Sequence, residues 1–215
     1  SLAGLRVLLA MLRLALIGVG SMGRNHYRVL RSLAGCELVA LCDPRPEGEF
    51  PEPLYPDVGA LLLAERIDAA VIAVPTAFHR YSALACIERG VSVLIEKPLA
   101  SSVTEGREIL AQARAHGVKA ALGHVERFNP VVRSLQKELE GQEIYSISIT
   151  RVGPIPPRVS DVGVLTDLSV HDIDLIRFLT RKEIRRASVF SSRKLHGNRE
   201  DNAVLSFVLE NDVIG

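Results

Sequence analysis

The sequence carries almost no net charge, since 26 lysines and arginines face 25 aspartates and glutamates over 215 residues. A chain without a broad positive field has little attraction for a phosphate backbone, so we expect no nucleic-acid binding. Cysteine is scarce as well, and its three residues are odd in number and form no Cys-x-x-Cys pair. They provide neither a disulfide framework nor a zinc site, and we expect reduced thiols in a cytoplasmic protein.

A hydrophobic run long enough to cross a membrane is also missing from the sequence. The segment 2–17 is rich in leucine and alanine, but Arg6 and Arg13 interrupt it, and no small-residue cleavage site follows it. Neither a spanning helix nor a secretory signal fits this pattern, so we expect no membrane association. Residues 1–10 are expected to form an N-terminal extension.

Short apolar runs alternate with longer amphipathic segments from Leu12 onwards. This rhythm is typical of a parallel sheet with crossover helices. The chain is 47% hydrophobic and 24% charged, which allows it to bury a sizeable core. The predicted strands are 14–19, 37–42, 69–74, 91–95 and 119–123. The predicted helices are 22–32, 58–65, 79–89 and 103–116, with Asp57 and Ser102 as N-caps of the second and fourth.

A proline-rich segment, residues 43–57, interrupts the alternation. It holds five of the eleven prolines, and it therefore predicts a long surface loop where the pattern would otherwise place a helix. The alternation elsewhere predicts an α/β fold, a doubly wound parallel sheet over residues 11–124.

The period changes after residue 123. Residues 143–151 alternate apolar and polar side chains, as a strand with one wetter face does. Further runs of this kind, and a helix between them and the first, predict a second, α+β domain over residues 125–215 with an open antiparallel sheet. The other predicted elements of this domain are a helix at 167–179 and strands at 187–192 and 203–209.

A G-x-G-x-x-G pattern, GVGSMG, lies between the first predicted strand and the first predicted helix. Gly18 permits the tight turn, Gly20 lets the backbone approach a pyrophosphate, and Gly23 allows close packing of helix on strand. Ser21 and Met22 open the helix, whose N-terminus attracts the anion. The pattern predicts a dinucleotide site.

Asp43 ends the second predicted strand, 20 residues after Gly23. A carboxylate at this position accepts hydrogen bonds from the adenosine ribose hydroxyls. Asp43 favours NAD because it would repel the 2′-phosphate of NADP, but Arg45 suits that phosphate, so NADP stays open. The alternative interpretation is a glycine turn in an unrelated α/β protein, with Asp43 capping the turn before Pro44.

Further candidates lie at the end of the third predicted strand. Val74, Pro75 and Thr76 end that strand, so their backbone is expected to line the cofactor cleft. His79 comes three residues later and is either a helix cap or a ligand contact.

Glu96 and Lys97 end the next strand, at the carboxyl edge where open α/β sheets bind ligands. The Lys97 amine can donate to a substrate hydroxyl or carbonyl oxygen at this edge, and we count both residues among the candidates for cofactor binding.

Asp167 and His171 are four residues apart, so a helix places them on one face. The carboxylate can orient the imidazole and support its charged form, which a general base for an alcohol proton requires. A metal site built from His171, Asp172 and Asp174 is the alternative. Those three residues scatter around a helix, so we expect no metal.

Five segments, taken in order, resemble the Gfo/Idh/MocA family of dehydrogenases, which includes glucose-fructose oxidoreductase and inositol 2-dehydrogenase. They are GVGSMGRNH, AVPTAFH, IEKPLA, GHVERFNP and DLSVHDIDL. The resemblance implies a Rossmann domain followed by an α+β domain, and NAD(P)-dependent oxidation of a secondary alcohol on a sugar or cyclitol. It also implies a cis peptide bond between Lys97 and Pro98.

The motif match implies a role for each catalytic candidate. Lys97 would hydrogen-bond the reacting oxygen, His171 would take the hydroxyl proton, and Asp167 would position that site. The segment GHVERFNP and the sequence around DLSVHDID resemble the branch that includes UDP-N-acetylglucosamine 3-dehydrogenases, so we expect a sugar or nucleotide-sugar substrate. The resemblance makes Arg127, Asn129, Arg158 and His171 the candidate substrate contacts, and arginine also suits diphosphate geometry.

The sequence departs from the family pattern at two places. Family members carry a helix where this chain has the proline-rich loop, and they are longer, whereas this chain stops within the predicted antiparallel sheet. We therefore expect an incomplete second domain and a homo-oligomer formed through that sheet. The alternative to an enzyme is a catalytically silent dinucleotide-binding sensor or assembly subunit, because cofactor binding needs only the first domain.

Overall fold

The computed structural model describes residues 11–153, 163–194 and 199–215. The chain divides into two compact units, the first ending at Gly123 and the second beginning at His124. Across the described ranges, every helix is too short or too polar to span a bilayer.

Six parallel strands form the centre of the first unit. They are β1 (Leu12–Ile17), β2 (Cys36–Cys42), β3 (Leu54–Tyr55), β4 (Ala69–Ile72), β5 (Ser92–Ile95) and β6 (Ala120–Leu122). Their order in the sheet is β3-β2-β1-β4-β5-β6, and each neighbouring pair is parallel. The order reverses between β1 and β4, which confirms the predicted doubly wound sheet and marks its switch point.

Helices connect these strands close to the predicted bounds. They are α1 (Ser21–Ser32), α2 (Val58–Ala64), α3 (His79–Glu88) and α4 (Val103–Ala115). The side chains of Asp57 and Ser102 cap α2 and α4 by accepting from main-chain N–H groups, as the sequence predicts. Both faces of the sheet are buried, since Ala15 and Ile17 of β1 belong to one apolar cluster and Leu14 and Leu16 to the other.

The proline-rich loop runs from β2 to the two-residue edge strand β3, and its described residues contain no helix. The prediction of a loop in place of the crossover helix is therefore confirmed, although the short strand was not predicted. The loop is held against α1, where the Tyr27 ring packs edge-on against Phe50 at 5.2 Å between centroids. The Tyr27 hydroxyl also donates to the Glu52 carboxylate at 2.8 Å.

The second unit contains α5 (Pro130–Glu138), α6 (Val170–Thr180), β7 (Ile184–Ser192) and β8 (Asn202–Leu209) among its described residues. β7 and β8 pair antiparallel, as expected. The predicted strand at 143–151 is wrong, because among the described residues only Ser146 of this segment forms a bridge, to Ile214. Ile147 and Ile149 still pack on buried apolar residues. The alternation of this segment therefore reflects one buried face, and among the described residues it does not reflect regular pairing with a neighbouring strand.

Candidate functional site

The glycine-rich loop, residues 18–23, passes close to the connection after β4. Gly18 has φ +93°, and a Cβ atom there would lie 2.6 Å from the Ala73 carbonyl oxygen. A Cβ on Gly23 would collide with the carbonyl oxygen of Gly18, whereas one on Gly20 would meet no atom of the described residues within 4 Å. The first and third glycines therefore allow close packing, and the second borders open space.

The N-terminus of α1 begins beside this open space. Gly20 is its N-cap residue, no side chain among the described residues caps it, and its first turn contains no acidic residue. The initial N–H groups and the dipole of a 12-residue helix favour an anion at this end. The residues present thus fit the pyrophosphate of a dinucleotide.

Asp43 follows β2 directly and lies against the same loop. Its Oδ2 atom accepts from the Val19 N–H at 2.9 Å, and its Oδ1 atom accepts from the Arg45 N–H at 2.9 Å. A carboxylate offers about four acceptor positions. Two of them remain for ribose hydroxyls, so the position of Asp43 fits the adenosine end of a dinucleotide.

Glu96 is paired with His26, a residue that the sequence-based candidates did not include. The carboxyl is 7% exposed, and its Oε1 atom lies 2.7 Å from Nε2 of His26. Burial acts to raise the pKa of Glu96, but the bond to His26, the N–H of Lys97 and the charges of both residues outweigh it and lower the pKa. The pair ties α1 to the end of β5.

The fit around Glu96 is tight on its other side as well. A Cβ atom on Gly123 would lie 3.2 Å from the carboxyl group, and the second oxygen accepts from the Lys97 N–H at 3.2 Å. Both oxygens of Glu96 therefore have partners within the protein. His26 is the third residue after Gly23 in GVGSMGRNH, and only its distance from Glu96 in the fold reveals its role.

His79 opens α3 and is 1% exposed. Its Nδ1 atom lies 2.8 Å from the carbonyl oxygen of Pro98, and its Nε2 atom lies 2.9 Å from that of Val74. The expectation that His79 contacts a ligand directly is wrong, because the buried ring is enclosed by the protein. Capping is wrong too, since the ring bonds to two loop carbonyls and not to the helix.

The two loops that these carbonyls belong to lie at the carboxyl edge of the sheet. Val74, Pro75 and Thr76 connect β4 to α3, and Lys97 follows β5. The peptide bond between Lys97 and Pro98 is cis, as the family resemblance implied. The sheet thus brings these loops to the edge where α/β proteins bind ligands.

In the second unit, Asp167 and His171 lie at the start of a helix. Asp167 belongs to a π-helical turn, Leu165–Ser169, and His171 is the second residue of α6. Four residues are close to one turn in either helix type, so the predicted common face holds. Wide turns of this kind are frequent at functional sites.

Asp174 of α6 is 3% exposed and forms a two-pronged ion pair with Arg127. The two bonds measure 2.7 Å from Nε and 2.5 Å from Nη2. Hydrogen bonding to Asp174 raises the pKa of Arg127 further, and the guanidinium also lies 5.2 Å from the centroid of the Phe178 ring. Any contact of Arg127 with substrate must therefore use its remaining donors.

Arginines pair with both carboxylates of the alternative metal site. Asp172 accepts from Arg151 at 2.9 Å, while Asp174 is held by Arg127. In the described part of the chain, no cluster of three or more histidine, cysteine or carboxylate side chains has the geometry to hold a metal ion. Asp172 and Asp174 therefore form ion pairs with arginines.

Two further candidates for substrate contacts have different outcomes. Asn129 caps α5, since its side-chain oxygen accepts from the Val131 N–H at 3.0 Å, and its amide donates to Glu126 at 3.3 Å. Arg158 lies outside the described residues. Capping gives the Asn129 side chain a structural role in α5, and its contact with a substrate stays a prediction.

Comparison with known families assigns both units. A model described as "Oxidoreductase family, NAD-binding Rossmann fold" matches residues 12–124, and the model of the GFO/IDH/MocA C-terminal domain matches residues 144–215. The chain belongs to the Gfo/Idh/MocA oxidoreductase family. Its first unit is the NAD-binding Rossmann fold of that family, as the glycine-rich loop and Asp43 predict.

Similar proteins of this family act on sugars and inositols by name. The chain is 32% identical to UDP-N-acetylglucosamine 3-dehydrogenase of Acidithiobacillus ferrooxidans, over 80% of this chain and 55% of that protein. It is 30% identical to inositol 2-dehydrogenase 2 of Saccharopolyspora erythraea, over 94% of this chain and 65% of that protein. The chain thus spans between half and two thirds of these curated relatives.

Solved structures of the family share the fold. A UDP-N-acetylglucosamine 3-dehydrogenase of Acidithiobacillus ferrooxidans superposes with a TM-score of 0.85 and 28% identity, over 94% of this chain and 65% of that one. Myo-inositol 2-dehydrogenase of Lactobacillus plantarum reaches a TM-score of 0.86 at 24% identity, with 94% and 68% coverage. At that identity the second likeness bears on the fold alone.

Proposed function

We propose that this Gfo/Idh/MocA chain acts as an NAD(P)-dependent dehydrogenase, with NAD preferred, that oxidises a secondary alcohol of a sugar. The observation that carries the proposal is the open space beside Gly20, at a helix N-terminus that no described side chain caps, next to the Asp43 carboxylate. A pyrophosphate fits the first feature and a ribose fits the second. Asp43 favours NAD because its charge would repel a 2′-phosphate.

The chain's own residues take the following roles in the proposal. NAD, when bound, supplies the hydride acceptor. The main chain of residues 18–23 holds the pyrophosphate, and Asp43 accepts from the adenosine ribose. The backbone of residues 74–76 lines the cleft.

The proton chemistry falls to three residues. The Lys97 amine donates a hydrogen bond to the oxygen of the reacting alcohol, which lowers the cost of removing its proton. The His171 imidazole accepts that proton as general base, and Asp167, four residues earlier in the same helical stretch, orients the ring and stabilises its charged form.

A nucleotide sugar is the proposed substrate class. The support is the 32% identity to a UDP-N-acetylglucosamine 3-dehydrogenase, together with arginine-rich segments that suit diphosphate recognition. Arg127, through its remaining donors, Asn129 and Arg158 are the proposed contacts. Inositols are the competing class, because several relatives are inositol dehydrogenases by name.

The two units are proposed to act as a dinucleotide-binding domain over 11–124 and a substrate and oligomerisation domain over 125–215. Phe190 of β7 and Val204 of β8 are register partners and are 72% and 62% exposed. Apolar side chains in this arrangement support a homo-oligomer formed through the antiparallel sheet. The three cysteines are free and buried, which is compatible with the proposed cytoplasmic location.

The test is reduction of NAD, followed by the absorbance of the reduced nicotinamide, with a panel containing UDP-N-acetylglucosamine, myo-inositol and unsubstituted hexoses. We expect turnover with a nucleotide sugar. His171→Ala and Lys97→Ala should each lower kcat by roughly 10²-fold or more, and His171→Ala should leave the affinity for NADH within about twofold of wild type. His116→Ala, at the C-terminal end of α4, is the control that should keep full turnover.

Each contrary result has a distinct meaning. Unchanged turnover of His171→Ala would remove the base assignment. Folded wild-type protein that binds NADH and turns over no member of the panel would favour the silent sensor. Wild-type protein that binds no NADH would contradict the proposed function as a whole.

A further inference from the structure

The His79 ring is enclosed between two groups that can only accept hydrogen bonds. Nδ1 lies 2.8 Å from the Pro98 carbonyl oxygen and Nε2 lies 2.9 Å from the Val74 carbonyl oxygen. A neutral imidazole carries one N–H and can satisfy one of these carbonyls. The ring thus lies within hydrogen-bond distance of both carbonyls and donates to at least one of them.

The two carbonyls belong to the two loops that follow neighbouring strands. Val74 lies in the connection after β4, and Pro98 lies after β5, next to Lys97. Neither carbonyl is held by a regular sheet bond at that point, because β4 ends at Ile72 and β5 at Ile95. The ring of His79 is therefore a cross-link between two segments that the sheet itself no longer joins.

The position of this cross-link within the sheet indicates what it serves. A doubly wound sheet consists of two halves, each of which takes one mononucleotide of a dinucleotide. The glycine-rich loop and Asp43 belong to the half built on β1, β2 and β3, whereas both His79 contacts belong to the half built on β4, β5 and β6. The cross-link thus lies under the nicotinamide half.

We propose that His79 is a positioning residue for the nicotinamide end of the cofactor: its ring bridges the Val74 and Pro98 carbonyls and so fixes the backbone that carries Lys97. This proposal rests on the proposed function. It requires no contact between His79 and the cofactor, which the burial of the ring forbids. It separates His79 from Asp43, whose effect is confined to the adenosine end.

The test compares two ligands on the full chain. NADH, followed by nicotinamide fluorescence, reports both halves of the site, whereas AMP, followed by calorimetry, reports only the adenosine half. His79→Phe keeps a ring and removes both ring nitrogens. We expect its affinity for NADH to fall about tenfold, as the loss of one to two buried hydrogen bonds implies, and its affinity for AMP to stay within about twofold of wild type.

Two further variants separate positioning from simple loss of stability. His79→Gln keeps one donor and should lose less NADH affinity than His79→Phe. If the phenylalanine variant does not fold, the glutamine variant carries the comparison with wild type. Cys86→Ala is the matched control, because it removes a fully buried side chain from the same helix. It should lower stability and leave both affinities unchanged.

Unchanged NADH affinity in both His79 variants would overturn the proposal, and so would an equal loss for NADH and AMP, or the same NADH loss in Cys86→Ala. Wild-type protein that binds neither ligand would overturn the proposed function together with this inference.

Discussion

A series of glycine-to-alanine substitutions measures how tightly the glycine-rich loop is fitted against β4. Gly18 and Gly48 share the same backbone angle, φ +93°, but differ in their surroundings. A Cβ on Gly48 would meet nothing within 4 Å, whereas one on Gly18 would lie 2.6 Å from the Ala73 carbonyl oxygen and 2.9 Å from the Val74 nitrogen. The difference between the two variants therefore isolates the steric overlap from the backbone strain.

The expected losses follow from these surroundings. Gly48→Ala adds only the strain of an L-residue at positive φ, about 1–2 kcal/mol. Gly18→Ala adds the displacement of neighbouring backbone, roughly 1–3 kcal/mol more by analogy with overpacked cores. Its total of about 2–5 kcal/mol is a large share of the roughly 5–15 kcal/mol that stabilises a domain.

The assay is urea unfolding followed by far-ultraviolet circular dichroism, because the chain contains no tryptophan to report by fluorescence. In both variants the slope of unfolding free energy against urea concentration should equal that of wild type, and the midpoint concentration should be lower. A Gly18→Ala variant that is as stable as Gly48→Ala, within about 0.5 kcal/mol, would refute the close approach of the loop to β4.

Three other perturbations have defined outcomes. The pKa of Glu96 lies below its ordinary 4.5, so its charge stabilises the fold above that pH, and this stabilisation is lost as pH falls through the lowered pKa. Glu96→Gln should therefore lower the free energy of unfolding at neutral pH and weaken its decline in acid, as measured by urea unfolding at a series of pH values. An unchanged decline would contradict the pairing of Glu96 with His26. Asp174→Asn should lower the free energy of unfolding by about 2–3 kcal/mol. This is less than the loss of one partner of a fully buried ion pair would cost, because the Arg127 side chain is 39% exposed. A loss under about 0.5 kcal/mol would show that the pair does not stabilise the fold. The pKa of the Cys42 and Cys86 thiols is raised to about 12, chiefly by burial. Iodoacetamide should therefore label them at neutral pH only as the protein unfolds. Rapid labelling of native protein would show that they are accessible.

The Rossmann half could be predicted from the sequence because its signals are local. Each buried strand is a short apolar run between turn residues, and the glycine pattern, the strand before it and Asp43 lie within about thirty residues of one another. The proline-rich segment likewise excludes a helix through its own backbone chemistry. Such features need no knowledge of distant partners.

The second half of the chain was less predictable because strand formation depends on partners elsewhere in the sequence. Residues 143–151 have the alternation of a strand, yet only Ser146 forms a bridge among the described residues. The contacts of the His26 and His79 rings also depend on partners that are distant in the sequence. His26 meets a carboxylate 70 residues away, and His79 bonds to a carbonyl 19 residues away, so residue type alone did not reveal either role.

The most direct test of dinucleotide binding at the glycine-rich loop is a titration of NADH into wild-type protein and Gly20→Ala. Gly20 has φ −67°, and an added methyl group meets nothing within 4 Å, so the variant should unfold at the wild-type urea concentration or slightly above it. Its affinity for NADH should fall at least about tenfold, because the methyl group occupies the space that the pyrophosphate requires. Equal NADH affinity in the two proteins would contradict the placement of the cofactor at this loop.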